Sequence, residues 1–455
     1  MASGRPRPID LAGGGIDRLR RLLRPGVGLK RWLLVIFFGE LLIAIAGALV
    51  LRQVVREVAP GGAADDSLIW FLTLQFLPPG LRVGVLLAVG LLIFVIGLRR
   101  LLETLMEPLA SRGAPLVDLL VRQRALARGP RIVAIGGGTG LSTLLRGLKA
   151  YSSNLTAIVT VADDGGSSGR LRDAIGLPPM GDIRNCLAAL SDAEATMTRL
   201  LQYRFPEAMR PGGLGGHALG NLLIAALSDL EGDFEEGVRR MNQVLAVRGQ
   251  VVPAAPIPLT LHAELADGSR LVGQSAIARA RAIRRVWIAP GDVRATSDAV
   301  EAIMAADLIV LGPGSLFTSL LPNLLVAEIR ESVRASRAPV VYVANVATQI
   351  GETEAFTLAD HLQAIADSVG EGFIDAVLAN DDMAARTPRD WPARAVEPTL
   401  PEAWRDRVRF LSAAVVDPAN AHRHDPQRLS SALMALQADG VVGGHPAPVG
   451  AVRSA

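Results

Sequence analysis

The sequence predicts a doubly wound α/β domain with an antiparallel insertion, preceded by a transmembrane helical hairpin. Three observations support this prediction. Two stretches within the first hundred residues are apolar and close to the length needed to cross a bilayer as helices. Beyond residue 130, apolar runs of strand length alternate with helical patterns, which is typical of a parallel sheet covered on both faces. Glycines and polar residues follow the ends of those runs.

The composition indicates a protein that is only partly embedded in a membrane. Half of the 455 residues are hydrophobic, 20% are charged and the net charge is +3. The mean hydropathy of +0.33 is high for a wholly soluble protein, and the charged fraction is high for a polytopic one. The single cysteine, Cys186, excludes an internal disulfide and a zinc site of several cysteines, and we expect it to pack inside a helix.

The first predicted span covers residues 32–51, which contain one charged side chain, Glu40. The second covers residues 83–98, and residues 67–77 add an approach at the level of the headgroups. Cations rather than a small-residue cleavage site follow the first span, so we expect it to be retained. We expect Glu40 to be protonated or bonded to the neighbouring helix, and two spans with one acid indicate an anchor rather than a transporter.

The charges beside the two spans predict the orientation of the hairpin. Eight cations and two anions precede the first span, and Arg99, Arg100 and Arg112 follow the second, whereas residues 52–66 of the connecting loop carry two cations and three acids. The positive-inside rule therefore predicts a two-span protein of the inner (cytoplasmic) membrane, with both termini and the large domain in the cytoplasm. The basic N-terminus then contacts acidic lipid headgroups, and no nucleic-acid partner is expected.

Changes in composition divide the chain into five segments. Arg128, Gly129 and Pro130 mark the boundary of the large domain. The predicted segments are a basic N-terminus (1–31), the hairpin (32–100), a juxtamembrane connector (101–129), a ligand-binding domain (130–435) and a flexible tail (436–455).

The large domain is predicted to contain buried parallel strands joined by helices, such as 139–149 and 184–190. Between residues 251 and 287 polar and apolar residues alternate around Asp267-Gly268, which predicts an antiparallel insertion with a hairpin turn. The predicted parallel strands are 132–135, 157–162, 307–311, 340–344 and 374–379.

Polar residues and glycines follow all five predicted strands. Ligands bind beyond the carboxyl ends of the strands in open parallel sheets, so we expect these residues to share one rim. Two further helix starts add polar side chains, one after Pro178-Pro179 and one behind the glycine-rich segment 211–216, where a histidine lies on an edge suited to a lid. The candidate ligand-binding residues are Gly136, Gly137, Gly138, Thr139, Gly140, Asp163, Asp164, Asn185, His217, Asn221, Gly312, Gly314, Ser315 and Asn345, with Asn380 after the fifth strand.

These residue types favour contact with a phosphate but leave alternatives open. Backbone N–H groups of residues 136–140 could hold an anion at a helix start, or the segment could be a tight turn without a ligand. Leu141 replaces the third glycine of the dinucleotide fingerprint and the Walker lysine is missing, which argues against nicotinamide binding and an ordinary P-loop. Residues 312–315 offer a second helix start.

The adjacent acids Asp163 and Asp164 could bind a ribose, hold Mg²⁺ on a phosphate, or cap the following helix. Asp182 is predicted to cap the helix that contains Asn185. The order of residues suggests no Ser-His-Asp or Cys-His nucleophile, and the six histidines do not have the spacing of a metal site.

Six long motifs give the large domain a resemblance to a known family. The chain resembles the gluconeogenesis factor family, also called YvcK, of the CofD-like superfamily. The resemblance covers nearly all of residues 131–430, although Ala347 stands where the family has methionine, and the two-span anchor is absent from its usual soluble members. The motifs lie at 136–149, 160–172, 179–191, 216–227, 311–326 and 345–365.

The resemblance implies a Rossmann-like fold that binds a UDP-sugar, typically UDP-N-acetylglucosamine. It further implies a link between carbon metabolism, cell-wall synthesis and cell shape under gluconeogenic growth, a protein partner in one of those pathways, and a homo-oligomer. The candidate residues above would form the cleft. Trp391, in place of the usual tyrosine, and the pair Arg423-His424 would hold the uridine diphosphate.

The related CofD enzymes imply an alternative function. They are 2-phospho-L-lactate transferases, which move a phospholactyl group from a guanosine-diphosphate-activated donor to a deazaflavin alcohol with Mg²⁺. A transferase of this kind would use Asp163 and Asp164 for Mg²⁺ and charge neutralisation. The long motifs resemble the gluconeogenesis factors more closely, which favours a ligand-sensing regulator over a catalyst.

Overall fold

A computed structural model of the chain describes residues 29–58, 77–106, 123–207, 209, 213–384 and 393–438. The chain divides into two compact units, Met1–Arg122 and Gln123–Ala455. The predictions for residues 1–28, for the segment 67–76, for Arg112, for Trp391 and for the tail from 439 onward lie outside the described residues.

The first unit contains two long helices, α1 (Leu29–Val58) and α2 (Pro79–Met106). Their segments Trp32–Leu49 and Val83–Leu101 have mean hydropathies of 2.4 and 2.2, so both helices are long and apolar enough to cross a membrane. The predicted pair of span-length helices is thus present, and its orientation stays a prediction.

The two helices pack closely at glycines. A Cβ atom on Gly39 would lie 2.7 Å from the backbone nitrogen of Phe94, so only glycine permits this approach. Apolar side chains such as Leu34, which is 67% exposed, cover the outside of the pair. Glu40 is also exposed. Apart from Glu40, this outer surface has the apolar character that lipid contact requires.

The second unit is built on a seven-stranded parallel sheet in the order β10-β9-β8-β7-β1-β2-β3. The five inner strands are almost fully buried, as expected for strands covered by helices on both faces. The strands are β1 (Ile132–Gly136), β2 (Leu155–Val159), β3 (Gln250–Pro253), β7 (Leu308–Leu311), β8 (Val340–Val343), β9 (Ala376–Asn380) and β10 (Arg409–Ala413). This confirms the predicted α/β class.

Helices connect and cover these strands. They are α3 (Gly138–Leu148), α4 (Gly166–Ile175), α5 (Gly181–Leu190), α6 (Glu194–Leu201), α7 (Leu219–Glu231), α8 (Phe234–Val244), α9 (Gln274–Ile277), α10 (Ser297–Met304), α11 (Leu321–Leu324), α12 (Ala327–Ala335), α13 (Leu358–Val369), α14 (Glu402–Arg405) and α15 (Pro426–Ala438), with a π-helix at Leu316–Leu320.

Two small antiparallel sheets complete the unit. The insertion is a three-stranded sheet in the order β5-β4-β6, formed by β4 (Thr260–Leu265), β5 (Arg270–Val272) and β6 (Ile283–Ala289), and residues 267–268 form the predicted turn. The strands β11 (Val416–Asp417) and β12 (Asn420–His424) form the other sheet.

The structure corrects three details of the prediction. Residues 250–253 form the edge strand β3 of the parallel sheet rather than part of the insertion, because they pair with β2. The opposite edge strand, β10, was not predicted, since its residues are partly exposed and lack a continuous apolar run. Helix α5 begins at Gly181, so Asp182 lies inside its first turn and does not cap it.

The order of the strands defines where a ligand would bind. From β1 the chain adds β2 and β3 on one side, and it adds β7, β8, β9 and β10 on the other. The order therefore reverses between β1 and β7. In doubly wound sheets the crevice beyond the carboxyl ends of the strands at such a reversal is the ligand site.

Candidate functional site

The glycine loop after β1 places the start of α3 at the crevice. Gly138 adopts a left-handed backbone with φ +65°, and it begins α3 with no side-chain cap before it. The first N–H groups of a helix have no partner within the helix. The N–H of Gly138 donates to Asp182, which leaves the N–H groups of Thr139 and Gly140 as the donors for an anion.

A second glycine loop, residues 312–315, meets the first across the crevice. A Cβ atom on Gly140 would lie 2.1 Å from the carbonyl oxygen of Pro313, so the two backbones are in direct contact. Asn345, directly after β8, fixes the second loop from the other side. Its Nδ2 donates to the Gly314 carbonyl at 2.8 Å and its Oδ1 accepts from the Gly314 N–H at 3.1 Å.

A cavity of about 280 Å³ opens beside these loops. It brings together seven of the predicted residues: Thr139, Gly140, Gly314, Ser315, Asn345, Arg423 and His424. Pro313 of the predicted loop 312–315 also lines it. Residues that were not predicted complete the lining: Thr143, Val346, Ala347, Thr348, Gln349, Ile350 and His422. We call this cavity the nucleotide cleft, after the class of ligand that the sequence leads us to expect. The start of α3 and the exposed guanidinium of Arg423 give it two groups that attract an anion.

His424 supports the cleft without adding positive charge. Its side chain is buried, and its Nε2 lies 3.1 Å from the carbonyl oxygen of Ala344. Burial lowers the pKa of His424 to about 4, so the ring is neutral at physiological pH and donates its Nε2–H to that carbonyl. Arg423 is therefore the cation of the pair that can contact a ligand.

The second predicted anion site, the helix start after residues 312–315, is filled by a carboxylate of the chain itself. The Thr318 N–H and hydroxyl of the π-helix donate to Glu352, at 2.7 Å and 3.2 Å. Glu352 is buried, and burial raises its pKa to about 7. Of the two predicted anion sites, the start of α3 is therefore the remaining candidate.

The remaining predicted side chains form a separate polar cluster on the β2 side of the glycine loop. Asn221 is fully buried at its centre, and its Oδ1 accepts from Arg184 Nη1 at 2.9 Å. Its Nδ2 donates to the hydroxyls of Ser167 and Ser168. Ser167 in turn lies 3.1 Å from Nδ1 of His217. Asn221 and His217 thus come together, but they do not line the nucleotide cleft.

Arg184 carries an unsatisfied donor in this cluster. The guanidinium is buried, and within the part of the chain that the structure describes its Nε has no hydrogen-bond partner. An unpaired buried N–H is costly, so it identifies a donor that a bound anion or water could satisfy. Burial is also the main cause that raises the pKa of Asp163, and it raises that of Asp182 to about 6.

The adjacent acids Asp163 and Asp164 accept hydrogen bonds from different parts of the domain. Asp163 Oδ1 accepts from the Gly165 N–H, whereas Asp164 Oδ1 accepts from the Ser275 N–H of α9 in the insertion. Gly165, not an aspartate, caps α4. Burial, and after it the charge of Asp163, raises the pKa of Asp182.

The donor set near Asp163 fits Mg²⁺ only in part. Across the described ranges, no three His, Cys, Asp or Glu side chains gather as metal ligands. Asp163 and Asp182 supply oxygen atoms of the kind that Mg²⁺ prefers, and the ion commonly completes its shell with substrate phosphates and water. Asp163 with Asp164 as magnesium ligands stays a prediction, and Asp182 is a further candidate.

The other predicted residues have structural contacts. Gly136 O accepts from Asn323 Nδ2, and the Gly312 N–H donates to Ile135 O, so both tie the loops to the sheet. Asn185 accepts two long hydrogen bonds of 3.4 Å, from Arg184 and Gln202. Asn380 accepts from the N–H groups of residues 415 and 416.

Replacing Asp182 should change how stability depends on pH. Its folded-state pKa of about 6 exceeds the ordinary 3.8, so the folded chain holds the proton more tightly and loses stability as pH rises from about 4 to above 6. Asp182→Asn removes this loss. We expect the variant to gain roughly 1–3 kcal/mol over the native chain between pH 4 and pH 7, measured by equilibrium unfolding. Parallel pH curves for the two proteins would contradict this assignment.

Comparisons with known proteins agree with this architecture. The profile of the family "2-phospho-L-lactate transferase CofD" matches residues 132–407. The gluconeogenesis factor of Bacillus subtilis (strain 168) is 44% identical over 323 residues, which cover 68% of this chain and 99% of that protein. A crystal structure of a Bacillus halodurans protein, 44% identical, superposes with a TM-score of 0.62 and covers 68% of this chain and 100% of its own.

A longer relative extends the similarity toward the N-terminus. A protein of Nostoc sp. (strain PCC 7120) is 43% identical over 440 residues, which cover 92% of both chains. Because residues 1–128 make up more than a quarter of the sequence, this match includes part of the region before the large domain. A segment ahead of that domain is therefore shared with a relative.

Proposed function

Because the chain belongs to the CofD family and, within it, to the gluconeogenesis factors, we propose that it is a regulatory protein that binds a UDP-sugar. The observation that carries the proposal is the nucleotide cleft at the reversal between β1 and β7. There the free N–H groups at the start of α3 and the guanidinium of Arg423 face one cavity. UDP-N-acetylglucosamine is the ligand that we expect.

The charges of the cleft suit a diphosphate. Helix starts attract phosphate through their N–H groups and dipole, and an arginine can contact two phosphate oxygens at once. Residues 345–350, together with Ser315, supply amide, hydroxyl and backbone groups for the rest of the ligand. This combination of a few polar groups in a concave cleft is typical of sites for nucleotide-like ligands.

The two long helices would place this regulator at the membrane. We propose that they anchor the chain in the cytoplasmic membrane with the large domain in the cytoplasm, where it senses UDP-sugar, signals to a protein partner, and supports cell-wall synthesis and cell shape under gluconeogenic growth. No nucleic-acid partner is part of the proposal. Removing residues 1–100 should release the chain into the soluble fraction. Continued sedimentation of that shortened chain with membranes would contradict the anchor.

Calorimetric titration of the detergent-solubilised full chain tests ligand binding. We expect a single site for UDP-N-acetylglucosamine, weaker binding of UDP, and little binding of GDP or NAD. If the titration shows no heat of binding at millimolar UDP-N-acetylglucosamine, the proposal is wrong.

Arg423→Ala should weaken the binding of the UDP-sugar without unfolding the chain. We expect an affinity about 10-fold lower, because one charge-assisted contact to phosphate is lost. Stability should change by less than about 0.5 kcal/mol, since the side chain is exposed. Arg337→Ala is the matched control. This exposed arginine precedes β8 and so lies at the amino ends of the strands, away from the cleft at their carboxyl ends. Equal effects of both variants would place the ligand elsewhere.

A transferase is the second candidate, favoured by the match to the CofD profile and by the polar cluster. There, Arg184 has a spare buried donor beside Asp163 and Asp182. Bound Mg²⁺ would supply charge neutralisation, while Arg184 would orient an anionic group. Incubation with an activated phospholactate donor, a deazaflavin alcohol and Mg²⁺ tests it by mass spectrometry. Product that disappears in Asp163→Asn would overturn our preference for a regulator.

A further inference from the structure

The wall of the nucleotide cleft contains a chain of hydrogen bonds that the proposed function does not yet use. Residues 345–353 follow β8 and contact the segment 314–318 through three side chains, those of Asn345, Gln349 and Glu352. The first of these holds the backbone of Gly314. The other two meet at Ser315, which also lines the cleft.

Glu352 lies at the buried end of this chain. The Thr318 N–H and hydroxyl donate to it at 2.7 Å and 3.2 Å. The Ser315 side chain and the Phe317 backbone are near enough to offset part of the rise in its pKa that burial causes. These groups on the π-helix are uncharged. Of the charged residues on its own loop and on the insertion beside it, Glu354 pairs with Arg281, and Arg279 is exposed. Glu352 is therefore an isolated carboxylate surrounded by donors.

The direction of the bonds fixes the amide of Gln349. A carboxylate cannot donate, so a Ser315 hydroxyl that bonds Glu352 is the donor of that bond, and its oxygen accepts from the next partner. That partner is Nε2 of Gln349, at 2.6 Å. The opposite placement of the amide would bring two acceptors together. Oε1 is consequently the amide atom that does not contact Ser315, and Gln349 itself lines the cleft.

We propose that Glu352 is a positioning residue that acts through Ser315 to orient the Gln349 amide, so that its oxygen accepts a hydrogen bond from an N–H group of the ligand. The inference rests on the proposed function, because it concerns the ligand of the same cleft. UDP-N-acetylglucosamine carries two such groups, the imide N–H of uracil and the amide N–H of the acetamido substituent. A site built to accept from an N–H discriminates strongly against a ligand that lacks it.

A ligand series tests the specificity on the detergent-solubilised full chain. The probes are UDP-N-acetylglucosamine, UDP-glucose, which lacks the acetamido N–H, and the N3-methyluracil form of UDP-N-acetylglucosamine, which lacks the imide N–H. We expect one of the two analogues to bind at least 10-fold more weakly to the native chain, and the analogue affected identifies the recognised group. Gln349→Met keeps the size of the side chain and should remove this discrimination.

Two results would overturn the specificity. Equal affinity of the native chain for all three probes would do so, as would unchanged discrimination in Gln349→Met. In both cases the proposed function would stand, because UDP-N-acetylglucosamine would still bind. Failure of the native chain to bind any of the probes would instead remove the proposed function together with this inference.

The pH profile distinguishes positioning from a merely structural role. Burial raises the pKa of Glu352 to about 7, so the acceptor of the Ser315 proton is progressively lost as pH falls below that value. Affinity of the native chain for UDP-N-acetylglucosamine should therefore fall several-fold from pH 8 to pH 6. Glu352→Gln should bind weakly with a flat profile. Ser315→Ala should behave likewise, whereas Ser315→Thr, which keeps the hydroxyl, should restore binding.

Thermal unfolding of each variant shows whether it is folded at the temperature of the titration. A native profile that is flat between pH 6 and pH 8, or native affinity and pH dependence in Glu352→Gln, would overturn the role of Glu352. If Glu352→Gln does not fold, the Ser315→Ala and Ser315→Thr pair decides the question, because equal binding by these two variants would contradict the relay.

Discussion

Gly140→Ala is expected to lower the affinity for UDP-N-acetylglucosamine by at least about 100-fold, because it pushes apart the two loops that form the cleft. The added methyl group would lie 2.1 Å from the carbonyl oxygen of Pro313, far inside van der Waals contact. Neither backbone can move without displacing the N–H groups at the start of α3. We also expect a loss of stability of about 1–3 kcal/mol, the usual cost of overpacking. Titration and equilibrium unfolding of the full chain measure the two effects.

Gly147→Ala is the matched control for that variant. It lies on the same helix, and its added methyl group would lie 1.9 Å from the carbonyl oxygen of Pro426, outside the nucleotide cleft. It should therefore cost similar stability but leave the affinity of the folded protein within a few-fold of the native value. If both variants bind the UDP-sugar equally well, the start of α3 is not where the phosphates lie.

Asn221→Leu is expected to be the most destabilising single change in the polar cluster. It removes the acceptor of Arg184 Nη1 and leaves a buried guanidinium with one more unpaired donor. Leaving a buried donor without its partner typically costs about 1–3 kcal/mol, and more when the donor is charged. Asn185→Ala removes only long hydrogen bonds of 3.4 Å and should cost less than about 1 kcal/mol.

Equilibrium unfolding of the detergent-solubilised chain, followed by circular dichroism, compares the two asparagine variants. Losses of the same small size in both would show that Asn221 does not support Arg184. In that case Asn221 would be available to a ligand, as the sequence alone suggested.

The parallel sheet could be predicted because its inner strands are buried on both faces. The strands β1, β7 and β8 are continuous apolar runs, and runs of this length bounded by turn residues are typical of strands in a covered parallel sheet. The edge strands β3 and β10 were assigned wrongly or missed. Strand β3 ends in a proline, and the residues of β10 are exposed or partly exposed. The position of each strand therefore depends on pairing with its neighbour rather than on local sequence.

The rim of the site could be predicted in part for the same reason. Parallel strands end at one edge, so the glycine loops and Asn345 had to lie near one another. Glu352 was missed because its importance depends on the π-helix, whose residue Thr318 is 34 positions earlier in the chain. The polar residues that follow β8, at 345–353, were the feature of the sequence that could have pointed to Glu352. Both the nucleotide cleft and the cluster around Asn221 contain polar residues next to glycines. The sequence alone therefore could not tell which of these residues belong to which site.

A structure of the full chain with bound UDP-N-acetylglucosamine is the most direct test of the central claim. We predict that the diphosphate lies within hydrogen-bond distance of the backbone N–H groups of Thr139 and Gly140, with Arg423 beside it. A diphosphate located in the polar cluster at Arg184, or away from the reversal between β1 and β7, would contradict the account.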